Sequence, residues 1–274
     1  MTIISIHGNN FFGHHTIASS TKGLGKLSHI GLCFATALLL WALPLLASGK
    51  RDTTRVLLVG NSYIYYNNLA QMIGLITDSL DSKVICRKST AGGATLGEHW
   101  RGNKGLRSRS LIKEGSYDIV VIQDNSMWPL QHKDSVLKYG NLFCNKIKES
   151  GAKPYVYNTW SRQAAPETQP LINQVYQELA DANHAALIPV GQCWAKAREW
   201  DKDINLFHSD GSHPSPLGTF LIALCYVKKI TGKLPERFAT VYNYIDKDGE
   251  TFRIMQVSET EIQFCVKVVN HIMP

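Results

Sequence analysis

The sequence has no C-x-x-C pair, no dense run of lysine and arginine, no internal repeat and no low-complexity linker. Each absence excludes something. Six cysteines without paired spacing argue against a zinc ribbon, a thioredoxin-type redox site or a disulfide framework. Cys33 falls in an apolar segment; Cys86, Cys144, Cys193, Cys225 and Cys265 read as small buried hydrophobes. A formal net charge of +7 is spread thinly over 274 residues. Without a basic stripe, a zinc-finger pattern or an RNP-type pattern, it does not call for nucleic acid as a partner. With 44% hydrophobic and 19% charged residues, the composition is that of a globular chain rather than a disordered or fibrous one.

The first 49 residues contain no carboxylate. Leu27 to Gly49 carries no formal charge and is flanked by Lys22 and Lys26 before it and Lys50-Arg51 after it. Its apolar heart runs from Ile30 to Leu46, and it ends in the small residues Ala47-Ser48-Gly49. A basic region, an apolar region and a small-residue ending are the parts of a secretory signal. The competing reading is an uncleaved membrane anchor, since the apolar stretch is long enough to span a bilayer. Two regions are expected: an N-terminal extension with signal or anchor over 1–49, and one globular domain over 50–274. The expected location is outside the cytoplasm, with a membrane involved only through residues 27–49.

The rest alternates strands and helices. Arg55 to Gly60, Lys83 to Arg87, Tyr117 to Gln123, Pro154 to Asn158 and Ala186 to Val190 are short apolar runs that read as buried strands. Between them, Leu69 to Leu80, Leu137 to Ser150 and Gln169 to Asn183 carry a helical period, and Gly151 stops the second. Pro214 to Thr231 is a long apolar helix closed by Gly232. Ser258-Glu259-Thr260-Glu261 is a capping box that starts a last helix reaching about His271. "DKDGE" at 246–250 reads as a turn; the rest of 233–257 has no clear period. Five buried strands alternating with helices predict a parallel sheet covered on both faces. Ligands of such sheets lie beyond the carboxyl ends of the strands.

The chemistry-bearing residues fall at those ends. Gly60-Asn61-Ser62-Tyr63 follows the first strand, Ala91-Gly92-Gly93-Ala94 the second, and Gln123-Asp124-Asn125-Ser126 the third. Ser209-Asp210-Gly211-Ser212-His213-Pro214 follows the fifth. Asp210 and His213 are spaced so that the aspartate can hold one imidazole nitrogen while the other faces Ser62. That is the nucleophile, base and orienter logic of acyl transfer. An Asn125 amide and a glycine N–H at the same edge suit an oxyanion. Trp128, Trp160, Tyr63, Tyr65 and Tyr66 fall nearby, where rings either stack on sugars or pack beneath loops. His208, Asp210 and His213 also form a possible metal set, and a catalytically silent carbohydrate-binding protein remains open. An α/β-hydrolase elbow does not fit, because Gly60-Asn61-Ser62-Tyr63-Ile64 lacks the second glycine.

Taken together, these blocks resemble the SGNH/GDSL hydrolases, serine esterases and acetylesterases. The family's first block is G-D-S-x; here Asn61 stands where aspartate is usual. Its second block supplies a glycine amide, matched best by Gly93. Its third, G-x-N-D, keeps Asn125 but has Gln123 and Ser126 in place of the glycine and aspartate. Its fifth, D-x-x-H, is matched by Asp210 and His213, followed by Pro214. The similarity covers roughly Arg55 to Thr231. It implies a flavodoxin-like three-layer α/β/α fold with a five-stranded parallel sheet. It also implies a Ser62, His213 and Asp210 triad, an oxyanion hole from Gly93 and Asn125, and no cofactor or metal. The expected partner is a small-molecule or glycan ester, with Trp128 and Trp160 as substrate-binding aromatics.

Overall fold

The computed structural model describes residues 52–274. The expected signal or anchor over 27–49 lies outside these residues. Among the described residues, no helix is long and apolar enough to cross a membrane.

In chain order the elements are β1 (Asp52–Gly60), α1 (Ser62–Tyr65), α2 (Leu69–Thr77), β2 (Ser82–Thr90), α3 (Leu96–Arg101), α4 (Ser108–Glu114) and β3 (Ile119–Ile122). They continue with α5 (Trp128–Gln131), α6 (Lys133–Glu149), β4 (Lys153–Tyr157), α7 (Gln169–Ala182), β5 (Ala186–Ile188), α8 (Val190–Trp200) and α9 (Pro216–Thr231). A hairpin, β6 (Val241–Ile245) and β7 (Thr251–Gln256), and a last helix, α10 (Glu259–Ile272), complete it.

Five strands form one sheet in the order β2-β1-β3-β4-β5, and every neighbour pair is parallel. Alternation along β1 divides the core. Val56 and Leu58 face one side, where they pack with α2, α8, α9 and α10; Leu57 and Val59 face the other, with α3, α4, α6 and α7. The result is the expected three-layer α/β/α architecture. With this strand order successive strands are added on opposite sides of β1, so the order of winding switches between β1 and β3 and the crevice at their carboxyl ends is where a ligand belongs.

The ends of α9 and α10 follow from sequence chemistry. Ser215 caps α9 by accepting the Gly218 N–H at 2.9 Å, and Gly232 closes it with φ of +77°. Ser258 and Glu261 form the reciprocal capping box of α10. Some elements differ from expectation. Helix α8 stands between β5 and the Asp210–His213 loop, so that loop does not follow the strand directly. Residues 241–256 form an antiparallel hairpin around the 246–250 turn. The cysteines behave as small hydrophobes: Cys144, Cys193, Cys225 and Cys265 are buried and Cys86 partly so, and all five are free thiols.

Candidate active site

The turn after β1 is tightly packed. An added Cβ on Gly60 would collide with Gln123 Oε1, lie 2.7 Å from Ile64 Cδ1 and 3.1 Å from the Gln123 carbonyl, so a larger residue would have to displace both side chains. The next residue, Asn61, is a buried hub. Its N–H donates to Gln123 Oε1 at 3.2 Å, and its Oδ1 accepts the Tyr63 N–H at 3.2 Å. Its Nδ2 donates to the carbonyls of Ala94 (3.0 Å) and Asp124 (3.3 Å). One amide thus ties together the loops after β1, β2 and β3. A carboxylate has no N–H to give those carbonyls, which explains asparagine at this position.

From below, His99 braces the same turn. Burial pushes its imidazole down to about 4, against the opposing pull of the Gly60 carbonyl. The ring is therefore neutral near pH 7. Its Nε2–H donates to Gly60 O at 2.8 Å, and Nδ1 accepts from Ser108 at 2.6 Å, which leaves the Ser89 hydroxyl to donate to Ser108 at 2.8 Å.

Ser62 opens α1 beside the loop that carries His213. Ser62 Oγ is 2.8 Å from His213 Nε2, and His213 Nδ1 is 2.5 Å from Asp210 Oδ2. Asp210 Oδ1 accepts the N–H groups of Ser212 and His213, each at 2.9 Å. A little burial works to raise the Asp210 carboxyl, but these hydrogen bonds and the imidazole hold it well below the usual range. Nδ1 must donate to this carboxylate, so Nε2 is left as the acceptor for the Ser62 O–H. The Tyr66 ring lies flat on the imidazole, centroids 4.1 Å apart and planes 11° apart. Tyr63 meets the imidazole edge-on at 5.7 Å.

Across the cleft, Gly93 takes φ of +61°. Asn125 Nδ2 donates to Gly93 O at 3.1 Å, and its Oδ1 accepts the Met127 N–H at 3.0 Å. Asp124 Oδ1 accepts the N–H groups of Leu96 (3.1 Å) and Asn125 (2.7 Å), so it joins the loops after β2 and β3. Ser62, Gly93, Asn125 and His213 line one cleft of about 320 Å³.

No protein-family model and no curated protein matches this sequence. Solved structures do. A candidate SGNH hydrolase from Slackia heliotrinireducens is 25% identical, with TM-score 0.55, over 65% of this chain and 100% of its own. This chain has the SGNH hydrolase fold. A DUF4886 family protein from Bacteroides uniformis is similar over more of the chain, 81% of this one and 95% of its own, at 17% identity and TM-score 0.63. An acetyl xylan esterase matches 64% of this chain and 99% of its own, at 15% identity and TM-score 0.51.

In this SGNH fold the structure brings Ser62, His213, Asp210, Gly93 and Asn125 together, but not the two tryptophans. Trp160 is fully buried. It is stacked between Tyr63 at 4.3 Å and Trp194 at 4.2 Å, and its Nε1–H donates to Ser212 O at 3.0 Å. That buried acceptor lets an indole sit inside the core. Trp160 therefore supports the His213 loop from beneath and cannot touch a ligand. Trp128 packs with the α3, α4, α6 and α7 side of the sheet and tilts against His132 at 4.4 Å, away from the cleft lining. The aromatics that do line the cleft are Tyr63, Tyr65 and Tyr66. Gln123 is fully buried, with its amide committed to Asn61 N–H and the Asp124 carbonyl. His208 Nδ1 lies 3.7 Å from Asp210 Oδ2, and among the described residues no three His, Cys, Asp or Glu side chains form a metal-binding group.

Two expectations arise here. Asn125→Ala should lower kcat by about 10²-fold or more while leaving the folded state in place. Steady-state kinetics beside a melting curve checks this; activity retained within a few-fold would leave the oxyanion to backbone N–H groups alone. The second concerns Asp124. Burial raises its carboxyl to about 6, against the pull of the two N–H donors, and its Oδ2 has no hydrogen-bond partner among the described residues. The native state then holds this proton more tightly than the unfolded chain, whose carboxyl titrates near 3.8. Stability from this group is therefore fullest at low pH and falls as pH rises from about 4 to about 6, by about 3 kcal/mol. Urea unfolding of Asp124→Asn should show the variant gaining on the wild type by that amount between pH 4 and pH 7. A constant difference would mean that Asp124 titrates like an exposed carboxyl.

Proposed function

We propose that this protein is a serine ester hydrolase working through an acyl-enzyme. The observation that carries this reading is the hydrogen-bonded line Ser62 Oγ, His213 Nε2, His213 Nδ1, Asp210 Oδ2 at the edge of an open cleft. Ser62 attacks the ester carbonyl while His213 takes its proton; the Oγ–acyl bond forms as the carbonyl becomes a tetrahedral oxyanion. The Asn125 side-chain amide and the Gly93 and Ser62 N–H groups receive that oxyanion. As the first residue of a helix, Ser62 has no intrahelical acceptor for its N–H. Collapse breaks the ester C–O bond, and His213 returns the proton to the leaving alcohol. Water, activated by the same imidazole, then releases the acid. Asp210 keeps the tautomer throughout.

The substrate class in this reading is an acylated carbohydrate or a similar small ester. Tyr65, about a third exposed, and Tyr66 offer ring faces in the cleft. One structural neighbour is an acetyl xylan esterase. The uncharged Leu27–Gly49 stretch with its small-residue ending supports export of the protein to where such esters are met. The test is a panel of p-nitrophenyl and sugar acetates offered to the purified protein. Acetyl release expresses the proposed activity. Saturable sugar binding without turnover would establish a binding protein in its place.

A further inference from the structure

The proposed mechanism leaves one charged side chain of the cleft unused. After β4 the chain runs Asn158-Thr159-Trp160-Ser161, all buried, and then surfaces at Arg162. The backbone on either side is pinned. Ser161 N–H donates to Gln169 Oε1 at 2.6 Å, and Gln163 N–H donates to Gly211 O, within the catalytic loop, at 2.9 Å. The side chain is aimed as well: Arg162 Nε donates to Met127 Sδ at 3.2 Å, on the loop that carries Asn125. Arg162 thus bridges the base loop and the oxyanion loop and lines the cleft together with Ser62, Asn125 and His213.

Its charge meets no protein counterpart among the described residues. Among the described residues Arg162 takes part in no ion pair. Apart from the His213 imidazole, the other side chains lining the cleft are asparagines, serines and tyrosines, and none is a carboxylate. Thioether sulfur is a weak acceptor and engages only Nε. The two terminal nitrogens, which make the planar fork that suits a carboxylate, keep their donors. Arg162 is also near enough to act on its neighbours: burial raises the Tyr63 phenol, and the Arg162 charge pulls the other way.

We propose that Arg162 determines specificity by receiving a carboxylate carried on the ester, so that the protein prefers acidic esters to neutral ones of similar size. This rests on the ester-hydrolase reading. The acid group sits on either the acyl or the alcohol side, and two arms of one experiment separate these cases. With the full chain, kcat/KM is measured for p-nitrophenyl hydrogen adipate against p-nitrophenyl hexanoate, and for p-acetoxybenzoate against p-acetoxybenzamide. In one arm the acidic-to-neutral ratio should fall about tenfold in Arg162→Gln, mainly through KM, because the lost contact is made equally in ground and transition states. Arg162→Lys should restore part of it, since it keeps the charge and loses the fork. The wild-type preference should weaken with added salt, because the guanidinium is exposed. Ratios that Arg162→Gln leaves unchanged in both arms, on a protein that does cleave the neutral esters, overturn this inference and leave the ester-hydrolase reading standing. A wild-type protein that cleaves no ester overturns both.

Discussion

Ser62→Ala should reduce ester hydrolysis by roughly 10⁶-fold, and His213→Ala should do nearly as much. The double variant should be no worse than either alone. The reason is geometric. Ser62 Oγ is 2.8 Å from His213 Nε2, and a serine hydroxyl at neutral pH is a poor nucleophile unless a base removes its proton as it attacks. Take away the oxygen and the base has nothing to activate; take away the base and the oxygen stays protonated. Removing both repeats one loss, so the effects do not add. What survives is the contribution of binding and the oxyanion donors. A fluorophosphonate should label the wild type at Ser62 and fail on Ser62→Ala. A metal-centred reaction predicts a different pattern, with no label, sensitivity to chelators and a large loss on His208→Ala. Wild-type turnover by Ser62→Ala would end the serine mechanism.

The sheet was legible in the sequence because its central strands are buried on both faces and so read as unbroken apolar runs. "VLLVG" in β1 and "IVVI" in β3 are such runs, with every residue buried. Edge strand β2 was read short, at Lys83 to Arg87 rather than Ser82–Thr90, because its two ends, Ser82 and Lys88-Ser89-Thr90, carry no apolar side chain. Helices α3 and α4 were missed for a different reason. They are short, and the buried polar residues His99 and Ser108 pair with each other and with backbone rather than forming an apolar stripe. The β6–β7 hairpin leaves Val241, Tyr244, Ile245 and Phe252 exposed, which removes any clean alternation. At the site, what is local in sequence was readable. Asp210 and His213 are three residues apart, and the Ser62 turn closes a strand. What depends on distant partners was not. Trp160 looks like a surface aromatic until Trp194 and Tyr63 close over it, and Arg162 acquires meaning only when the loops of Met127 and Gly211 arrive beside it.

Asp210→Asn should cost about 10⁴-fold in kcat/KM, less than Ser62→Ala, with little change in the melting temperature. The size of the loss follows from which carboxylate oxygen does which task. Oδ1 accepts two backbone N–H groups, from Ser212 and His213, while Oδ2 alone faces His213 Nδ1. An asparagine must keep its carbonyl oxygen toward the two N–H donors, because its amide nitrogen has only hydrogens to offer them. The loop therefore keeps its shape, and the amide N–H₂ is turned toward His213 Nδ1. That nitrogen must now accept, so the ring proton moves to Nε2 and points at Ser62. The base then has no lone pair where the serine proton must go. Asp210→Ala lacks this enforced orientation and leaves the imidazole free to sample both tautomers, so it should retain more activity than Asp210→Asn despite removing more atoms. Nitrogen-15 NMR of the imidazole checks the cause directly. The wild type should carry its proton on Nδ1 and Asp210→Asn on Nε2. An Asp210→Asn protein within tenfold of wild-type activity, or one with the proton still on Nδ1, would show that Asp210 does not set the tautomer of His213.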